Sequence, residues 1–151
     1  MSNEMPDELR TVLLNSRQSG NFDAVVEAVP YAKLLGIQLH SMDLQPTFIV
    51  PANKDNIGNP MLPAIHGGVI AGSMETAGAL HLLMTMESIA LPKIIDFSID
   101  YLRAGRLQDT YISCQVWRQG SRVANVAINA WQSDPAEPIA TARAHFLLVQ
   151  D

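Results

Sequence analysis

Three features of the 151-residue chain predict an α+β fold, with one long buried helix packed against a curved antiparallel sheet. Residues 67–86 carry one acid and no Lys or Arg, and Ile70, Met74, Ala77, His81 and Met84 recur there at helical spacing. The remaining faces are apolar or small as well, and a helix that is apolar all round is a buried one. After Pro92 the period changes to two. Ile95, Phe97, Ile99 and Tyr101 oppose Asp96, Ser98 and Asp100, and the alternation returns around Ile112, Cys114 and Val116 and around Ala142, Ala144, Phe146 and Leu148. Turn signals at Ala104-Gly105, Gln119-Gly120-Ser121 and Asp134-Pro135 join these runs, and short connections between alternating strands mean antiparallel pairing.

The other elements follow in order. Pro6, with Asp7 and Glu8 behind it, starts a helix whose Leu9, Val12, Leu13 and Ser16 share a face, and Gly20 ends it. Residues 23–29 form a second short helical piece before Pro30, and Leu35-Gly36 closes a third. Residues 37–52 read as two strands turned at Pro46, and residues 53–63, rich in Asn, Gly and Pro, as loop. The division is an N-terminal helical extension over 1–29 and a helix-and-sheet domain over 30–151.

Composition excludes several classes of function. With 48% hydrophobic and 17% charged residues the chain is neither disordered nor fibrous. Fifteen acids against ten Lys and Arg leave a net charge of −5, which argues against a nucleic-acid partner, since phosphate backbones need clustered positive charge. Cys114 is the sole cysteine, and His40, His66, His81 and His145 lack ligand spacing, so neither a disulfide nor a metal site is expected. Glu4, Asp7 and Glu8 stand where a signal peptide wants basic residues, and Pro and Gly-Gly interrupt the longest uncharged stretch, residues 56–74. A soluble cytoplasmic protein with no membrane partner is the expectation.

Two features can carry chemistry. Glu75 is the only charged residue between Asp55 and Glu87 and sits mid-helix. Either it points to a rim or an interface, solvated or paired, or it is a buried carboxylate with a raised pKa. The run Ile65-His66-Gly67-Gly68 opens the same helix. The glycines serve packing or turn geometry, or they bare N–H groups at the positive end of the helix dipole, suited to a carbonyl oxygen turning negative. Eight residues of helix rise about 12 Å, so Gly67 and Glu75 of one chain cannot share a small reacting centre. If both act on one carbonyl, they come from two chains related by a two-fold axis.

The run His66-Gly67-Gly68-Val69-Ile70-Ala71-Gly72-Ser73-Met74-Glu75-Thr76-Ala77 resembles the HGG…(D/E)-T-A signature of hotdog-fold acyl-CoA thioesterases, in particular the phenylacetic-acid-pathway type. The likeness continues through residues 95–105, through Gly120-Ser121-Arg122-Val123-Ala124 and into the closing strand, so it spans roughly 30–150. It implies a curved sheet wrapped around the central helix, with hydrolysis of an aliphatic or aromatic acyl-CoA thioester to free acid and CoA. No cofactor is implied beyond the CoA of the substrate. The sites would lie at subunit interfaces of a homodimer or a dimer of dimers. Glu75 matches the catalytic carboxylate, acting as nucleophile or general base, Gly67 the oxyanion donor, and His66 the histidine near the substrate carbonyl. Asn59 matches the loop asparagine, although it lies seven residues before His66 where the family pattern has six. The family's serine on the strand after the helix has no hydroxyl counterpart near Ile94. Gly68, Arg103 and Arg122 match substrate-binding positions, the arginines facing CoA phosphates. A non-catalytic protein that holds an acyl or aromatic ligand, and an enoyl-CoA hydratase or dehydratase, are the other readings.

Overall fold

The computed structural model describes residues 4–150. Helix α1 (Asp7–Ser19) follows Pro6, and Gly20, at φ 76°, closes it in the left-handed conformation that favours glycine. Helices α2 (Asp23–Glu27) and α3 (Pro30–Leu35) complete the N-terminal part. Strands β1 (Gln38–Ser41) and β2 (Thr47–Val50) come next, then a 3₁₀ turn over Lys54–Asn56. Strand β3 (Ile57–Asn59), inside the stretch expected to be loop, and β4 (Ala64–Ile65), just beyond it, pair as a small two-stranded sheet of their own. Pairs this short hold through backbone bonds with almost no side-chain alternation, so period counting cannot find them.

Helix α4 (Gly67–Thr85) is the central helix, and β5 (Ala90–Tyr101), β6 (Thr110–Gln119), β7 (Val123–Trp131) and β8 (Ala140–Gln150) complete a six-stranded antiparallel sheet ordered β1-β2-β6-β7-β8-β5. All five residues whose spacing marked the helix are buried, and Ile70, Met74, Ala77 and Met84 join Ile112, Val126, Ile128 and Phe146 in one core. The small residues let helix and sheet approach closely. A Cβ on Gly78 would stand 3.1 Å from both Ile128 Cδ1 and Phe146 Cζ.

Strand β5 lies at the edge of the sheet, which is why Pro92, with no N–H to give, is tolerated inside it. Its alternation slips once. Ile94 faces Phe146 and Asp96 faces His145, so Ile95 is the extra residue of a bulge and is 57% exposed. Phe97 and Ile99 beyond the bulge keep the inward phase the sequence suggests.

At its C-terminal end α4 is tied to α1. The Arg17 guanidinium donates to the carbonyls of Leu83, Met86, Glu87 and Ser88 at 2.7–3.4 Å, where the helix dipole is negative. Arg17→Ala should therefore lower unfolding free energy by about 1.5–3 kcal/mol, the worth of hydrogen bonds to a charged donor, as read by urea titration.

Among the described residues, His81 is the one charged-type side chain in the core, 1% exposed and with its Nδ1 without a hydrogen-bond partner. Desolvation lowers its pKa from 6.5 to about 4. Its folded pKa is thus below its unfolded one, so the unfolded chain binds more protons between these values. Stability should be intact above pH 6.5 and fall by about 3 kcal/mol as pH drops toward 4. His81→Leu should flatten that part of a pH series of denaturant midpoints.

Candidate active site

The site is assembled around the start of α4. Asn56 O accepts from His66 N at 2.8 Å, and Ile57 faces Ile65, so the β3–β4 pair feeds the chain directly into the helix. The two strands pass so closely that a Cβ on Gly58 would fall 2.7 Å from the Cβ of His66. His66 caps the helix in extended backbone (φ −58°, ψ 131°), and its Nδ1 accepts from Gly68 N at 2.9 Å. In the neutral ring that places the proton on Nε2.

The Gly68 N–H is thus spent on the cap, while the Gly67 N–H has no acceptor among the described residues. Gly67 O is held instead by Tyr101, whose hydroxyl donates to it at 2.8 Å from the end of β5. Tyr101 also fills the space a side chain at 67 would need, since a Cβ there would lie 3.1 Å from its ring. One first-turn amide is left bare at the positive pole of a nineteen-residue apolar helix.

Glu75 lies two turns further on, about 12 Å along the axis. It is half-buried, on the strip of α4 that also carries Gly68, Gly72 and Ala79 and that the sheet leaves uncovered. Its carboxylate has no hydrogen-bond or ion-pair partner among the described residues. Tyr31 of α3 borders this strip, its hydroxyl 2.6 Å from where a Cβ on Gly72 would stand.

The remaining candidates are scattered. Asn59 is exposed, and its Oδ1 accepts from Met61 N at 3.0 Å, so that oxygen shapes the loop tip while its amide nitrogen has no partner among the described residues. Arg103 donates to Pro138 O at 2.7 Å just past β5, near the helix start. Arg122 sits in the β6–β7 turn at the opposite end of the sheet. Seven residues of β7 separate these ends, roughly 23 Å along the strand. Within one chain, then, His66, Gly67 and Gly68 come together with Arg103 nearby, and Glu75 and Arg122 stand apart.

Sequence reasoning missed two residues that build this end of the molecule. Tyr101 was legible only as the last member of an alternating run. Arg106 hydrogen-bonds Leu62 O and forms a bridge with Ala64, clamping the loop before His66, whereas in sequence it reads only as half of a short basic cluster with Arg103. Among the described residues no group of three His, Cys, Asp or Glu side chains is placed to hold a metal ion. Burial pushes the Cys114 thiol pKa well up, which leaves it a poor nucleophile. No helix of the described residues is long and apolar enough to cross a membrane.

A family model described as the thioesterase superfamily matches residues 62–139, just over half the chain and the part that holds β4, α4, β5, β6 and β7. Among solved structures, a protein from Chromobacterium violaceum is 41% identical, with 92% of this chain and 97% of that one covered at a TM-score of 0.75. The E. coli PaaI protein from the phenylacetic acid degradation operon is 20% identical, with coverage of 93% and 96% and a TM-score of 0.72. A Haemophilus influenzae thioesterase is 17% identical, with coverage of 87% and 90% and a TM-score of 0.74. At those identities the last two speak to the fold alone. No curated protein sequence matches the chain. With a thioesterase model over the site and the sheet-wrapped helix around it, the chain belongs to the thioesterase superfamily and has the hotdog fold.

Proposed function

We propose that the protein hydrolyses acyl-CoA thioesters, aliphatic or aromatic, to free acid and CoA, in the manner of the phenylacetic-acid-pathway type. It would act in the cytoplasm as a homodimer or a dimer of dimers with composite sites. The observation that carries this reading is the uncommitted Gly67 N–H at the start of α4, matched by an unpartnered Glu75 on the same helix but out of its reach. A two-fold axis that sets α4 antiparallel to its copy would bring Glu75 of one subunit toward Gly67 of the other. The open strip of α4 and the unpaired edge of β5 are the surfaces available for that contact. The same operation draws Arg122 of one subunit toward the Arg103 end of the other, so that both arginines would face one CoA.

In this arrangement the thioester oxygen accepts from Gly67 N–H, and the His66 Nε2–H lies beside the same pole. Glu75 takes a proton from a water molecule whose oxygen attacks the carbonyl carbon. The tetrahedral intermediate collapses, the C–S bond breaks, and the thiolate of CoA leaves and is protonated. Direct attack by the carboxylate, giving an anhydride that water then opens, is the nucleophilic version of the same geometry. The amide nitrogen of Asn59, free of the turn, would orient water or leaving group.

A panel of acyl-CoA esters, followed by thiol release, tests the reading. Turnover of at least one ester supports it. Tight binding without thiol release would replace it with a ligand-holding protein, and water addition to an enoyl-CoA with a hydratase. Light scattering of the same sample reports whether the active species has more than one chain.

A further inference from the structure

A narrow cleft opens beside the helix start, between α4 and the sheet, and its wall includes Val50, Ile65, Val69, Ile70 and Ile112. It measures about 340 Å³ including the open solvent at its mouth, and it is narrow throughout: the centre of a water-sized body can move within only about 10 Å³ of it. One polar group in this apolar wall is uncommitted and deeply buried. Ser73 is 2% exposed, and its Oγ has no hydrogen-bond partner among the described residues. Its neighbours in the same helix behave otherwise. Thr76 and Thr85 return their hydroxyls to the carbonyls of Gly72 and His81, both at 2.7 Å. The other polar side chains along the cleft include Thr110, which accepts from Gln132 Nε2, and Asn53, whose oxygen accepts from Asp55 N.

An unpaired buried hydroxyl is costly, and a site built around one discriminates strongly for a ligand that pairs with it. Ser73 stands six residues beyond Gly67, roughly 9 Å down the helix from the bare amide. A carbonyl held at Gly67 would thus send a short acyl group down the cleft with its far end at Ser73. We infer that this cleft receives the acyl group and that Ser73 selects short acyl groups bearing an oxygen, such as a hydroxyl, at or near the far end. The narrow cleft admits an unbranched chain, and the serine sets the chemistry of its end.

This inference rests on the thioesterase reading, and its test separates the two. The probes are ω-hydroxypentanoyl-CoA and its near-isostere hexanoyl-CoA, assayed with the wild type and Ser73→Ala. The wild type should prefer the hydroxylated ester by tenfold or more in kcat/KM, and Ser73→Ala should bring that ratio to about one without lowering the thermal midpoint. Equal ratios in the two proteins would mean that Ser73 holds only water, and overturn the assignment. If neither ester is cleaved, hydrolysis of such esters fails and calorimetric titration of the same pair decides the cleft. Tighter binding of the hydroxylated ester by the wild type than by Ser73→Ala upholds it, and equal binding overturns it.

Discussion

Glu75→Gln is expected to cut kcat on the best acyl-CoA ester by 10²–10⁴-fold, the range lost when a general base is removed, with KM nearly unchanged. The amide keeps the size and the half-buried position of the carboxylate, so thermal stability should stay close to wild type. The carboxylate has no partner among the described residues of the chain, so no ion pair seen there is lost with it. A fall in rate with intact folding would place the chemistry at this side chain. Activity within a few-fold of wild type would remove Glu75 from the mechanism.

Gly67→Pro should cost about 10²–10³-fold in kcat, the effect of deleting one oxyanion donor. Position 67 is the first residue of α4, where proline is well accommodated, and His66 already has the extended ψ of 131° that a following proline requires. The substitution therefore deletes one N–H and preserves the helix. Tyr101 must yield by a few tenths of an ångström, which its half-exposed ring can do. Circular dichroism should match wild type while turnover collapses.

The two variants together test the composite site. A mixed dimer of a Glu75→Gln chain and a Gly67→Pro chain holds one site with both groups intact and one with neither. Co-refolding two nearly inactive proteins should restore activity toward half of wild type per mixed dimer. If Gly67 and Glu75 of one chain served the same carbonyl, mixing would restore nothing.

Much of the fold was legible because its signals are periodic. The buried face of α4 and the inward faces of β6 and β8 announce themselves at 3.6 and 2 residues, and Pro6, Gly20 and Gly36 mark helix ends through their own backbone preferences. Ile95 was misphased because a bulge is a decision of the ladder, taken against Phe146 and His145 some fifty residues away. The β3–β4 pair escaped for lack of length. At the site, His66 and Gly67 were readable as a helix start, but which N–H remains free depends on the His66 ring turning back to Gly68. The latch from Tyr101 and the clamp from Arg106 join segments 34 and 44 residues apart, and no local pattern encodes them. Ser73 stood in the sequence only as one residue of the signature run, and its burial without a hydrogen-bond partner among the described residues is visible only in the packed structure.

The irregularities of β5 have a consequence for solubility. A twelve-residue edge strand with a regular row of outward-facing donors and acceptors would template aggregation by any chain that met it. Pro92 removes one donor, the bulge at Ile95 bends the strand, and Asp96 and Asp100 place charge on what remains. No stretch is left that is at once uncharged, unkinked and long enough for the six- or seven-residue zippers of amyloid. The edge stays open to a partner shaped to match it while being a poor seed for indiscriminate stacking. Pro92→Thr or deletion of Ile95 should make the protein aggregate during refolding without touching the groups that would carry the chemistry.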